Sequence, residues 1–144
     1  MEEEKEYGKK SYLGFVLWII GFMAASGGGA RLYYVWFPED SGTGAMLFTL
    51  TVAYFAVVFL MWLIFITQKI YWLNGVEYED AKEAGESRRK ACARAHLILF
   101  LKNFLAWLVY CAAAVLFSLP VALNCVVFLA VVIIPAVWSM KIKL

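Results

Sequence analysis

The chain has 144 residues, of which 64% are apolar types and only 17% are charged, against an apolar share of roughly 45–50% in ordinary soluble domains. Its mean hydropathy is +0.74. Too little polar sequence remains to cover a soluble core of this size, and the abundance of aromatic and aliphatic residues excludes a disordered chain. Thirteen Lys and Arg against eleven Asp and Glu give a net charge of +2, too balanced for a nucleic-acid-binding surface. The class that remains is an integral membrane protein.

A helix needs about 20 apolar residues to cross about 30 Å of hydrocarbon. The first such run covers 11–30, SYLGFVLWIIGFMAASGGGA. Lys9 and Lys10 before it and the small residues at its end have the outline of a cleavable signal, but the apolar run is long and four glutamates precede it, which favours a retained helix. Gly21 and Ala25 have the spacing that lets helices approach closely. The triplet Gly27-Gly28-Gly29 is expected to weaken the helix just before Arg31. Residues 37–44, FPEDSGTG, read as a turn. Its acids, Glu39 and Asp40, are adjacent solvated carboxylates expected to bind no specific cation, and an exposed pair with Arg31 would be worth little.

The second run covers 45–66 and the third 97–118. Between them, residues 74–96 form the main polar feature, NGVEYEDAKEAGESRRKACARAH. Asn74-Gly75 is a turn signal. Acids then come first and bases last, which complements a helix dipole, and Glu86 and Lys90 have favourable i,i+4 spacing. One helix is therefore expected over 78–95, continuous with the third span. Arg88, Arg89, Lys90 and Arg94 are the candidate contacts to a partner or to anionic lipid headgroups. Ser118, Leu119 and Pro120 alone separate the third span from the fourth, 121–140, so these two should form a tight antiparallel hairpin with Pro120 opening the last helix. None of the four runs shows the alternation of a membrane barrel. The expected fold is one all-α domain over 1–144 with four transmembrane helices.

Lys and Arg gather on the cytoplasmic side of such proteins. Four crossings place eleven cations on the side of the N-terminus, the loop between the second and third spans (Lys69 included) and the C-terminus, and only Arg31 on the other. Both termini are therefore expected in the cytoplasm, with the plasma (inner) membrane as the location. Tyr33, Tyr34, Trp36, Tyr71, Trp72 and Trp138 fall where interfacial aromatic rings would sit.

Intramembrane polar groups are costly and often functional. The spans contain no Asp or Glu, which argues against proton-coupled transport and excludes the small multidrug exporters, whose first helix depends on a glutamate. Lys102 and Asn103 are the strongest polar signal within a span. Lys102 can snorkel towards the cytoplasmic interface, whereas Asn103 lies on a face with Trp107, Tyr110 and Ala114 and needs a hydrogen-bond partner. Asn124 lies near the outer end, where it could satisfy the hairpin turn. Lys102, Asn103, Tyr110 and Asn124 are thus the candidate intramembrane contacts. Pro135 frees the carbonyl of Val131 and is expected to kink the fourth helix.

Catalytic motifs are absent: no P-loop, HExxH, GxSxG or CxxC pattern occurs, and the three cysteines and one histidine suggest no metal or cofactor. Arg94-Ala95-His96-Leu97 resembles a stretch of the membrane glutathione-transferase-like enzymes of eicosanoid and detoxification chemistry. Ile98 and Leu101 stand where that family has a polar Asn and a Glu, and the stretch opens the third span rather than the second, so the likeness ends at four residues. The expected function is that of a non-enzymatic interaction, accessory or regulatory module. Its partners would be the lipid bilayer and either a second copy or another membrane protein. The alternative is a small oligomeric channel or transporter lined by Asn103, Tyr110 and Thr49 or Thr51.

Overall fold

The computed structural model describes residues 7–39, 42–73 and 75–144, so the readings that involve Lys5, Asp40 and Asn74 lie outside the described residues. Among these the chain is helical and has no strand: α1 (Leu13–Trp36), α2 (Thr43–Thr67), a single 3-10 turn (Ile70–Trp72), α3 (Tyr78–Glu83), α4 (Glu86–Leu116) and α5 (Val121–Ser139). α1, α2, α4 and α5 are long and apolar enough to cross a membrane. α2 lies between α1 and α4, and α5 packs mainly on α4. Residues 7–12, 68–73, 75–85 and 140–144 gather at one end, hereafter the α3 end. Leu17, Ile20 and Met23 of α1 and Val126, Leu129 and Ile133 of α5 are exposed. An apolar exterior of this extent is unfavourable in water and costs nothing against lipid tails.

In lipid a helix must satisfy its own backbone, and this decides the first difference from the sequence reading. The three glycines do not unwind α1, which continues through Trp36. Glycine weakens a helix by about 1 kcal/mol per residue, less than the several kcal/mol of leaving backbone groups unpaired in hydrocarbon. Gly29 instead allows close approach: a Cβ there would stand 3.4 Å from the Thr49 Cα and 3.2 Å from its hydroxyl. Gly21, Gly27 and Gly28 meet nothing within 4 Å. Farther along, the Trp18 indole N–H donates to the Ala56 carbonyl at 2.8 Å and joins α1 to α2.

The second difference lies in the polar loop. The helix expected over 78–95 is two helices, separated where Ala84 (ψ 128°) and Gly85 (ψ 157°) are extended. Only its second half is continuous with the third span. Two capping interactions compete with a continuous helix here. The Gly85 carbonyl accepts from the Arg88 and Arg89 amides and starts α4, while the Arg89 side chain takes the carbonyls at the end of α3. The Glu86–Lys90 ion pair is present at 2.5 Å.

Between α4 and α5 the chain reverses through 117–120. Ser118 is left-handed (φ 49°), and the amides of Leu119 and Ser118 donate back to the carbonyls of Ala114 and Val115. This is the Schellman pattern, in which a left-handed residue closes the orphan carbonyls of a helix end. The Asn124 amide adds a donor to the Leu119 carbonyl at 3.4 Å.

The core centres on Tyr54, Ile64, Phe100, Trp107 and Ala114. Its polar atoms are matched in pairs. The Trp107 indole donates to the Thr51 hydroxyl at 3.0 Å, and that hydroxyl donates to Leu47 of its own helix at 2.8 Å. The Tyr54 hydroxyl donates to the Val131 carbonyl at 2.8 Å, the carbonyl that Pro135 leaves without an amide partner. A tyrosine on α2 thus completes a helix broken chemically on α5.

This pairing predicts coupling. Tyr54→Phe should destabilise the bundle by about 0.6–1.7 kcal/mol, the range of interhelical hydrogen bonds in membranes. In a Pro135→Ala background the new amide would take the Val131 carbonyl, and the cost of Tyr54→Phe should fall by at least half. Reversible unfolding in mixed micelles of the four proteins of this cycle measures both quantities. Strict additivity would show that the two residues act separately.

Candidate functional site

The densest polar and aromatic constellation lies at the α3 end and centres on Arg89. One turn into α4, this residue is only 6% exposed. Its guanidinium donates to the Ala84 carbonyl, to the Ala81 carbonyl at 3.3 Å and to the Gln68 side-chain oxygen at 3.4 Å. It also lies 4.4 Å from the centre of the Tyr7 ring. A buried cation is tolerable only when its donors are used, and a planar fork with five donors can serve several acceptors at once. Three separate segments, 7–12, the α2 terminus and α3, are therefore held by one side chain.

Gln68 is the second member. It ends α2 in the left-handed region (φ 56°), an uncommon conformation for a residue with a side chain. Its surroundings compensate. The carbonyl accepts from the Tyr7 hydroxyl at 3.0 Å, the amide nitrogen donates to Glu86 at 3.3 Å, and the amide oxygen serves Arg89. Tyr7 stacks on Tyr78 at 5.8 Å and meets Tyr71 edge-on at 6.2 Å. Burial, then the neighbouring Tyr71, push its phenol up to about 12 against the pull of Arg89. It therefore remains a neutral donor at every physiological pH. Tyr71 both accepts from the Ser11 amide at 3.0 Å and donates to the Ser11 carbonyl at 2.9 Å, and Tyr78 donates to the Gly8 carbonyl at 3.1 Å. The segment before α1 is thus fastened along its length.

Beside this junction opens a cleft of about 600 Å³, lined by Asp80, Glu83, Arg88, His96 and Lys143 above Met140 and Ile142. His96 is 5% exposed. Its Nδ1 lies 2.9 Å from the Cys92 carbonyl and must carry the proton there, because a carbonyl can only accept. Arg88 reaches across to the Leu144 carbonyl at 3.0 Å. Two acids and two bases around one apolar floor can hold a ligand of mixed charge. Among the described residues no group of three His, Cys, Asp or Glu is placed to hold a metal.

The candidate residues are distributed over three places. Arg88, Lys90 and Arg94 are exposed, whereas Arg89 is turned inward and is engaged by the fold rather than offered to a partner. Lys102 is exposed in a groove with Trp138 and Lys141. Tyr110 and Asn124 form a pair, hydroxyl to amide oxygen at 2.7 Å, with Asn124 fully buried. Asn103 finds its partner on its own helix, the Leu99 carbonyl at 2.9 Å, and makes no bond across the bundle to another described residue. Tyr7, Gln68 and Tyr78 were not among the sequence candidates. The available signal was the recurrence of tyrosines in the segments assigned to one side: 7, 12, 71 and 78.

Removing the fork should undo the whole junction. Arg89→Ala leaves the carbonyls of Ala81 and Ala84 and the Gln68 amide oxygen without this donor and should cost about 3 kcal/mol, the scale of hydrogen bonds to a charged group. Arg89→Lys should recover less than half, since an ammonium cannot reproduce the planar fork. Proteolysis near residues 8–12 and 84–85 should accelerate in parallel, while Arg88→Ala should leave both readouts close to the parent protein. Comparison of the chain with protein-family models, with curated proteins and with solved structures gives no match in any of the three.

Proposed function

We propose that the protein is a non-enzymatic interaction module of the membrane, whose α3 end faces the cytoplasm and receives an acidic segment of a membrane-protein partner or of a second copy. The observation that carries this reading is the division of labour around Arg89. One buried guanidinium fixes the elbow between α3 and α4, and its neighbours Arg88, Lys90 and Arg94 are left exposed on a rigid support. Preorganised charge of this kind favours steering and selection of a partner of opposite sign. Both described chain ends lie at the α3 end, Tyr7 against Gln68 and Leu144 against Arg88. The cation bias read from the sequence puts that end in the cytoplasm, with the plasma (inner) membrane as the location. The 117–120 reversal then acts as the tight outer hairpin.

The alternative of a channel or transporter has less to draw on. The Asn103, Tyr110, Thr49 and Thr51 side chains it would use are engaged within the bundle, Asn103, Thr49 and Thr51 with backbone carbonyls of their own helices, Thr51 also with Trp107, and Tyr110 with Asn124.

Charge reversal separates the contact role from the folding role. The triple variant Arg88→Glu, Lys90→Glu and Arg94→Glu, with Arg89 kept, should insert and fold normally. Recovery of a stoichiometric partner, or of the crosslinked second copy, should fall by about tenfold or more, since like charges set opposite one another cost several kcal/mol. Mild-detergent pull-down followed by mass spectrometry reads the outcome. Undiminished capture by this variant would overturn the assignment of the contact to these residues.

A further inference from the structure

We propose that the groove between α4 and the end of α5 is a site for the headgroup of an anionic phospholipid, with Lys102 and Lys141 on its phosphate and Trp138 beside it. The groove has a volume of about 500 Å³, and its lining includes both lysines, Trp138, Ile98 and Leu99. Lys102 and Lys141 are the charged residues of that lining, and neither has a carboxylate at salt-bridge distance among the described residues.

The placement gives these ammonium groups a reason. Lys102 is the one charged residue well inside the apolar part of α4, one turn deeper than Ile98. A cation at that depth is unfavourable unless it reaches the interface or meets an anion. Lys102 lines the groove together with Ala95 and Ile98 of the preceding turns of α4, and α5 stops at Ser139 with Lys141 following. Trp138 is 58% exposed, the wet-and-apolar position that indole rings take at a bilayer surface. An anionic headgroup would neutralise both lysines, and its acyl chain would continue over Ile98 and Leu99. A zwitterionic choline headgroup would bring its own cation against them, and free phosphate would lack the apolar contact. Basic pockets between helices on the cytoplasmic side select anionic lipids in this way. The inference rests on the helices lying in a bilayer and does not involve the Arg88, Lys90 and Arg94 surface.

The test is native mass spectrometry of the detergent-purified full chain, titrated separately with dioctanoyl phosphatidylglycerol, dioctanoyl phosphatidylcholine and inorganic phosphate. Phosphatidylglycerol should bind with clear preference. The Lys102→Gln, Lys141→Gln variant should bind it about 25-fold more weakly, or about fivefold for each lysine lost. The Lys102→Arg, Lys141→Arg variant should retain it. Equal binding of the two phospholipids, retention of phosphate as strong as that of the lipid, or undiminished preference in the glutamine variant would each overturn the proposal. If the glutamine variant does not fold, the comparison among the three ligands on the parent protein and on the arginine variant decides. The charge-reversed Arg88, Lys90 and Arg94 protein should keep its lipid preference, so failure of the partner reading and failure of this one are separable.

Discussion

A guanidinium withdrawn from water imposes a demand that the rest of the α3 end is arranged to meet. A guanidinium has five N–H donors and no acceptor, so every donor of Arg89 directed into the protein needs an acceptor or a π-face. The chain meets this with neutral groups: two backbone carbonyls of α3 and its end, an amide oxygen at the end of α2 and the ring of Tyr7. Because the acceptors come from three segments, satisfying the cation also fixes the segments. The consequence is a rigid elbow on a chain that would otherwise have short, weakly capped helices there. α3 has six residues, too few to be stable alone, and its C-terminal carbonyls are closed by a side chain from the next helix.

The middle of the bundle obeys the same rule under a harsher solvent, apart from the buried hydroxyl of Ser26 on α1, which has no partner among the described residues. Water is absent from hydrocarbon, so a polar atom without a protein partner has no fallback. The pairs Trp107–Thr51, Tyr110–Asn124 and Tyr54–Val131 meet this condition and cross between helices. They therefore specify which helix faces meet, something that apolar packing against apolar lipid does weakly. Tyr54 is the clearest instance. Proline in a spanning helix is tolerated when another group satisfies the freed carbonyl, and here that group is a phenol on the helix across the interface.

Much of the helical plan was legible in the sequence because length and hydropathy are properties of each segment alone. The freed carbonyl at Val131 was legible for the same reason, since proline chemistry acts within one turn; its tyrosine partner, far away in sequence, was not. The readings that changed involve competition between local preference and a distant group. The glycine triplet favours unwinding locally, but the apolar surroundings and the close contact of Gly29 with Thr49 keep α1 helical. The ordered charges of 78–95 favour one helix locally, but an Arg89 side chain able to cap α3 makes a break at Ala84-Gly85 affordable. Sequence periodicity also treats Arg88, Arg89 and Lys90 as one cluster. Only the fold divides them, because successive residues on a helix point about 100° apart and one of the three meets acceptors.

The basic residues thus reach different environments by one criterion: what each head group can reach from its place on the helix. Arg89 meets carbonyls and is absorbed into the fold. Lys90 meets Glu86 on the same exposed face, where an ion pair contributes little to stability and leaves the surface charged. Lys102 lies within the apolar part of α4 and has no acid at salt-bridge distance among the described residues, and its side chain lines a groove that ends at Lys141. An even net charge of +2 conceals this partition. The acids of this region end at Glu86, and among the described residues only Lys90 of the cations beyond it has a carboxylate at salt-bridge distance. It is this imbalance along α4, rather than the total charge, on which the proposed discrimination among partners and lipids rests.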